Sequence, residues 1–295
     1  MGIAKTGSGK TASFVLPILQ NLVKQSSAKH REPAVLILVP TRELADQVLG
    51  VIRDFSAELP QRISSLAIYG GTSINTQMQS LGKIDILVAT PGRLLDLVDK
   101  NAIKLSSITT LVLDEADKML NLGFKEEVEK ILSLLPPTRQ NLLFSATLSP
   151  DLTAIQQVLL SDPVTIQIES DLEEEDIINE LGYFVKEERK GPLLRYIIRQ
   201  KKRQQILVFA SSAKSVDSIV NKLRKNKIDA APIHSQLSQG ARREVLRQFK
   251  EASFRVLVAT DLIARGIDIE ALPCVINYEL PRSPKDYIHR IGRTG

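Results

Sequence analysis

Ala4-Lys5-Thr6-Gly7-Ser8-Gly9-Lys10-Thr11, AKTGSGKT, begins three residues into the chain, and the rest is read from it. The pattern G-x-x-x-x-G-K-[ST] describes a loop between a buried strand and a helix, with backbone N–H groups facing phosphate oxygens. Ala4 stands here in the place of the first glycine. Gly7 and Gly9 let the backbone turn, and the start of the next helix adds partial positive charge. Lys10 is spaced to reach β- and γ-phosphates, and the Thr11 hydroxyl is the expected Mg²⁺ ligand. Such a loop needs a strand behind it, and Met1, Gly2 and Ile3 read as too few to make one. A turn-rich helix start is the plainer alternative.

The rest of the chain alternates strands and helices. Short apolar runs lie at 34–39 (AVLILV), 64–69, 84–89, 109–113 (TTLVL), 141–144 and 164–168, with helical periodicity over 11–24, 42–58, 91–100, 124–135 and 150–160. The pattern resumes with candidate strands at 181–186, 205–209, 229–233, 254–259 and 274–279, and helices near 190–200, 212–225, 238–250 and 284–290. These apolar runs are too short for helices, and their continuity indicates strands buried on both faces, as in parallel sheets. Between the two series stands SDLEEEDIINE, 170–180, whose acids fit a solvated, flexible linker. The expected fold is α/β. Two domains, 1–168 and 181–295, each hold a mostly parallel sheet with helices on both faces, and 169–180 joins them.

Composition narrows the chemistry. At 43% hydrophobic and 25% charged, the chain has an ordinary globular balance, and 295 residues suffice for two cores. No apolar run approaches the ~18 residues of a membrane span, and Lys5 and Lys10 interrupt the start where a signal peptide would be apolar. The single cysteine, Cys274, cannot form an internal disulfide and reads as a small buried strand residue, which fits a reducing, cytoplasmic setting. Charge is uneven: residues 1–168 carry 16 Lys/Arg and 16 Asp/Glu, whereas 181–295 carry 23 bases against 11 acids. A basic half beside a balanced one suggests a polyanionic partner, although a solubilising surface gives the same count. Aromatic residues are only 4%, with no tryptophan, which argues against base stacking as the main binding device.

Residues 109–117, TTLVLDEAD, end an apolar strand in carboxylates. Alone, an acidic tetrad also serves as a helix cap. About a hundred residues after a phosphate loop, it is the acidic partner that loop requires. Asp114 would hold the magnesium shell, Glu115 would orient and deprotonate an attacking water, and Asp117 begins the next helix.

Those four residues spell Asp-Glu-Ala-Asp, and over nearly its whole length the chain resembles the DEAD-box RNA helicases. Its phosphate loop is similar to the family's A-x-T-G-x-G-K-T, which accounts for Ala4. Pro40-Thr41-Arg42 and the rest of PTRELADQ, Gly70-Gly71, and Thr90-Pro91-Gly92-Arg93 resemble the RNA-binding motifs of the family's first domain, in order. Ser145-Ala146-Thr147 resembles the motif coupling hydrolysis to unwinding. In the second domain, VFASS (208–212) resembles the fourth motif, and Gln239 and Arg242 match Q-x-x-R. TDLIARGID (260–268) resembles the fifth motif and HRIGRTG (289–295) the start of the sixth. Local wording points to a bacterial member.

The resemblance implies two RecA-like domains, ATP and Mg²⁺ as cofactors, and RNA as partner in a cytoplasmic protein expected to be monomeric. ATP and RNA would close the domains over a cleft, bending the RNA backbone and parting a few base pairs, and hydrolysis would reopen the clamp. Ala4, Thr6, Gly7, Ser8, Gly9, Lys10 and Thr11 would surround the phosphates. Arg293 and Arg290 would be arginine fingers, Asp268 would meet the ribose, and His289 would bridge towards the acidic motif. RNA would be held at its phosphates and riboses by Thr41, Arg42, Gly71, Thr90, Arg93, Arg242 and Thr260. The ends depart from the family. A segment recognising adenine, most of the strand behind the loop, and an arginine three residues beyond Arg293 are missing from these 295 residues. The expectation is an internal piece of a longer helicase, weak or unstable by itself. Two rivals stand: a non-catalytic RNA clamp, opposed by intact Lys10, Asp114 and Glu115, and a DNA-translocating helicase of the same superfamily, opposed by the combination of PTRELA, TPGR and DEAD.

Overall fold

The computed structural model describes residues 1–4, 8–24, 32–147, 150–160, 162–168, 178–201, 204–261, 272–281 and 283–291. The chain divides into two compact units, Met1–Asp171 and Leu172–Gly295.

In the first unit the elements follow as β1 (Gly2–Ile3), α1 (Lys10–Lys24), β2 (Val35–Leu38), α2 (Arg42–Ala57), β3 (Ser65–Ile68), α3 (Ile74–Gln79) and β4 (Ile86–Ala89). They continue as α4 (Pro91–Asp99), β5 (Thr110–Leu113), α5 (Ala116–Asn121), α6 (Lys125–Leu134), β6 (Gln140–Ser145), α7 (Pro150–Leu159) and β7 (Ile166–Gln167). The seven strands form one sheet in the order β3-β4-β2-β5-β6-β1-β7, and every pairing is parallel. Successive side chains of a strand point to opposite faces, and the core divides accordingly. Leu36, Leu38, Leu87, Leu111 and Leu113 join one buried cluster, while Val35, Ile37, Ile86, Val88 and Val112 join the other. Both faces are therefore covered by helices, which explains the unbroken apolar runs.

The second unit repeats the scheme. Helix α8 (Glu187–Gln200) leads into β8 (Ile206–Phe209), α9 (Ala213–Lys225), β9 (Ala230–Ile233), α10 (Gln239–Lys250), β10 (Val256–Ala259), β11 (Val275–Asn277) and α11 (Pro284–Ile291). The strands lie in the order β11-β8-β10-β9, again all parallel. Ile206, Val208, Val256 and Val258 pack on one face, and Leu207, Phe209, Leu257 and Ala259 on the other.

Two local expectations fail. Gly2 and Ile3 do form a strand: Gly2 lies opposite Phe144 and Ile166, and Ile3 opposite Ser145 and Gln167. A strand flanked on both sides draws ladder hydrogen bonds from two neighbours, so two residues are enough to seat the loop that follows. Conversely, residues 181–186 are not a strand. They carry the expected apolar side chains, yet Leu181 is 70% exposed and Phe184 wholly so, and no strand among the described residues pairs with them. An apolar run supplies a strand's side chains but not its partner. The acidic stretch 169–177 lies outside the described residues. No described helix is long and apolar enough to cross a membrane.

Candidate active site

In an open parallel sheet, ligands meet the carboxyl ends of the strands. In the first unit those ends fall into two neighbouring groups. Strands β5, β6 and β1 carry the acidic tetrad, Ser145–Thr147 and the phosphate loop; strands β3, β4 and β2 carry Gly70-Gly71, Thr90–Arg93 and Pro40–Arg42.

At the first group, Gly9 has φ +82°, a left-handed conformation that glycine adopts freely, and its carbonyl accepts from the Ser13 N–H at 3.0 Å to start α1. Lys10 opens that helix and donates from Nζ to the Ala4 carbonyl at 2.5 Å. Burial lowers the Lys10 pKa, and the nearby charges of Asp114, Glu115 and Asp117 oppose that shift. Ser8 is exposed and Thr11 half-buried, whereas Lys5, Thr6 and Gly7 lie outside the described residues.

Asp114 is 3% exposed. Its N–H extends the ladder to the Leu38 carbonyl at 3.0 Å, and its Oδ1 accepts from the Glu115 N–H at 3.0 Å. Burial, then the charge of Glu115, pushes its carboxyl up to about 7, against the pull of Lys10 and Lys118. Glu115 sits at φ 51°, ψ 47°, a left-handed conformation that costs a non-glycine residue ~1–2 kcal/mol. Its Oε1 meets Lys118 Nζ at 2.6 Å, while its buried Oε2 has no hydrogen-bond partner among the described residues. Two close carboxylates out of water, one with an orphaned oxygen, suit a bound cation and an ordered water.

Asp117 is also 3% exposed, and its two oxygens are divided. Oδ1 accepts from the Lys118 N–H at 3.0 Å; Oδ2 accepts from Thr147 through its N–H at 3.2 Å and its hydroxyl at 2.8 Å. Ser145 Oγ donates to the Thr147 carbonyl at 2.7 Å, and the Ser145 carbonyl accepts from the Ala4 N–H at 3.1 Å. A continuous chain of hydrogen bonds thus runs from the phosphate loop through Ser145 and Thr147 to Asp117.

In the second group, Thr41 and Thr90 are the N-caps of α2 and α4, and both are buried. The Thr41 hydroxyl accepts from the Leu44 N–H at 3.2 Å, whereas Thr90 makes no such capping bond and Pro91 follows at the first helical position. Pro40 is buried and Gly92 takes its place in the first turn of α4. Gly71 has φ +79°, and a Cβ there would lie 1.8 Å from a guanidinium nitrogen of Arg42, so the Gly70-Gly71 turn exists to let that arginine lie across it. Arg93 differs from the expectation of a phosphate contact. It is 9% exposed, donates to Gln77 Oε1 at 2.7 Å and to the Thr72 carbonyl at 3.1 Å, and lies 3.5 Å from Asp96.

In the second unit, Thr260 follows β10 and donates its N–H to the Ile233 carbonyl at 3.3 Å. Gln239 and Arg242 are buried at the start of α10, and neither amide atom of Gln239 has a hydrogen-bond partner among the described residues. His234 is buried against Asp217, Nε2 to Oδ1 3.1 Å. Arg290 corrects an expectation. Far from presenting a free finger, it is 2% exposed, paired with Asp261, bonded to Asn277 Oδ1 at 2.8 Å and the Glu279 carbonyl at 2.6 Å, and stacked over Phe209 at 4.8 Å. A guanidinium so engaged organises its own unit. Asp268, Arg293 and the His289 side chain lie outside the described residues.

Lys118, Gln77 and Asp261 were not anticipated. The i, i+3 spacing of Glu115 and Lys118 on a predicted helix start was the readable signal for the first. For the other two no local signal existed, because their partners are 16 and 29 residues away.

Comparison with known proteins follows the same division. The family model described as DEAD/DEAH box helicase matches residues 1–155, and that of the helicase conserved C-terminal domain matches 189–295. All of the chain aligns with an ATP-dependent RNA helicase CshA of Listeria monocytogenes at 40% identity, covering 56% of that protein. It aligns likewise with a DEAD-box ATP-dependent RNA helicase CshA of Geobacillus kaustophilus at 39%, covering 62%. The chain thus spans little more than half the length of these relatives. Among solved structures, S. cerevisiae Dbp5 bound to RNA and ADP BeF3 superposes with a TM-score of 0.83 at 29% identity, over the whole of this chain and 75% of that one.

Proposed function

The chain belongs to the DEAD/DEAH box helicase family, and from that premise we propose that it is the core of an ATP-dependent RNA helicase that locally unwinds or remodels RNA duplexes. The observation that supports this reading best is the hydrogen-bonded path from Ala4 through Ser145 and Thr147 to Asp117, beside a buried Asp114 and a Glu115 with one unpartnered oxygen. Phosphoryl transfer needs little covalent help and depends on positioning and charge neutralisation. Residues 4–11 and the start of α1 would bind the nucleotide phosphates, with Lys10 neutralising charge on the terminal pair. Thr11 and Asp114 would hold Mg²⁺, which when bound offsets charge on the phosphate oxygens. The crowded, water-poor carboxylates at Asp114 and Glu115 suit such a cation. Glu115 would orient the attacking water and accept its proton, with Lys118 fixing one of its oxygens. Arg293 remains the candidate to stabilise the departing phosphate, and Asp268 the ribose contact.

RNA would be gripped through phosphates and riboses at Arg42, Gly70-Gly71 and the start of α4, and in the second unit near Gln239, Arg242 and Thr260. Closure of the two units on RNA would couple hydrolysis to strand separation. The half-buried lone Cys274 fits a cytoplasmic protein.

The test is steady-state ATP hydrolysis by the 295-residue chain with and without single-stranded RNA, beside Glu115→Gln. A rate that is low for this chain by itself, that RNA raises and that Glu115→Gln abolishes, is expected. Hydrolysis insensitive to Glu115→Gln, or stimulated equally by single-stranded DNA, would overturn the assignment, the first in its mechanism and the second in its substrate.

A further inference from the structure

Gln77 lies on α3, a short helix with no fully buried residue, which rests on the core through Ile74 and Met78, and it belongs to none of the motifs above. Its side chain nevertheless joins two of them. Nε2 donates to the Tyr69 carbonyl at 3.1 Å and to Thr72 Oγ1 at 2.7 Å, and Oε1 accepts from Arg93 at 2.7 Å. The Thr72 hydroxyl in turn donates to the same Tyr69 carbonyl at 3.3 Å, and the Thr72 carbonyl accepts a second bond from Arg93 at 3.1 Å. The Tyr69 hydroxyl reaches Asp46 on α2 at 2.9 Å. The ring of bonds closes around Gly70-Gly71, whose open turn holds the Arg42 guanidinium.

The chemistry of this ring admits few residues at position 77. A backbone carbonyl only accepts and a guanidinium only donates, so the group between them must do both. A carboxylate cannot donate to Tyr69, and an ammonium cannot accept from Arg93. An amide of glutamine length does both at once.

We propose that Gln77 is a positioning residue for the RNA backbone. It fixes the Gly70–Thr72 turn against the first turn of α4, so that the Arg42 guanidinium and the backbone N–H groups of the turn are aligned before RNA arrives. This rests on the RNA-helicase reading given above. Arg93 acts here as the other half of the clasp, holding the turn from inside the protein. Ordering a glycine-rich turn in advance removes that entropy from the binding step, so the clasp raises affinity without adding a phosphate contact.

RNA-stimulated ATP hydrolysis, titrated with single-stranded RNA at several salt concentrations, separates this role from others. Gln77→Ala is expected to raise the half-saturating RNA concentration about tenfold, with the rate at saturating RNA retained. Gln77→Glu, which keeps the acceptor for Arg93 but loses both donor bonds, is expected to weaken RNA similarly. In both, the slope of log affinity against log salt stays that of the parent, whereas loss of a direct phosphate contact lowers it by about one. A parent-like half-saturation in both variants overturns the proposal, as does a reduced salt slope, which would make Gln77 a contact rather than a support. A drop in saturating rate at unchanged half-saturation also overturns it, by showing a purely structural role. If the parent itself shows no response to RNA, the functional reading fails before this one is reached.

Discussion

Replacing Asp114 by asparagine should stabilise the first unit while disabling it. The Asp114 carboxyl is 3% exposed and pushed from 3.8 up to about 7, burial being the main cause. Between those two values the folded protein holds a proton that the unfolded chain has released. Stability therefore falls as pH rises from about 4 to 7, and stays low above that. The full difference corresponds to roughly 4 kcal/mol in the absence of metal. An asparagine side chain would match the shape, keep an acceptor for the Glu115 N–H now bonded to Oδ1 at 3.0 Å, and carry no charge to desolvate. In nucleotide-free, chelator-treated protein at pH 8, Asp114→Asn should raise the melting temperature of the first unit by on the order of 10 °C. At pH 4.5, where the parent carboxyl is mostly protonated, the two proteins should melt nearly together. Calorimetry at the two pH values is the assay. A variant that melts below the parent at pH 8, or a gap independent of pH, would refute the claim that a buried, poorly solvated charge dominates this site. Adding Mg²⁺ with nucleotide should stabilise the parent more than the variant, which keeps the phosphate loop but lacks one proposed Mg²⁺ ligand.

Lys118→Met removes the 2.6 Å partner of Glu115 where the two side chains are 5% and 12% exposed, leaving a nearly buried carboxylate alone. It should destabilise the first unit by about 3 kcal/mol, and Glu115→Gln in the same background should recover much of that loss in chemical denaturation. Thr147→Ala and Asp117→Ala should show a coupling of about 1–2 kcal/mol in a double-mutant cycle, since one carboxylate oxygen accepts both Thr147 donors. Additive effects would exclude that link. Arg290→Met should lower the stability of the second unit by about 2–3 kcal/mol, read as an earlier unfolding transition, because Asp261 and two further acceptors lose their donor together. Unchanged unfolding with abolished hydrolysis would restore Arg290 as a finger.

Most of the fold was legible because its signals are local. Each of β2, β4, β5, β8 and β10 is a run of apolar residues buried almost without interruption, and helices with an apolar stripe separate them. The acidic tetrad and the phosphate loop also declared themselves by spacing. What stayed hidden depends on distant partners. The apolar run 181–186 has the look of a strand, yet strand formation is decided by a neighbour's edge. Gly2–Ile3 reads as too short, yet both flanks of the sheet hold it. Helix α3, INTQMQ, offers a single apolar pair, Ile74 and Met78, too short a period to betray it. Two arginines of similar local setting, Arg42 and Arg93, proved to face a glycine turn and the protein interior respectively, a difference no short motif encodes.

The strand order of the first unit has a metrical consequence. Neighbouring strands stand about 4.8 Å apart, so the five steps from β1 to β3 set the phosphate loop and the Gly70-Gly71 turn on the order of 24 Å from each other. A hydrogen-bonded sheet keeps such intervals nearly constant, and the two proposed ligand grips are graduations on one rigid scale. They abut at a single seam, where β2 ends in Pro40–Arg42 and β5 ends in Asp114, joined by the bond from the Asp114 N–H to the Leu38 carbonyl. Any displacement passed within this unit from Asp114 to Arg42 has its shortest crossing there. Leu38 and Leu113 are the ladder partners at that crossing, and both are buried.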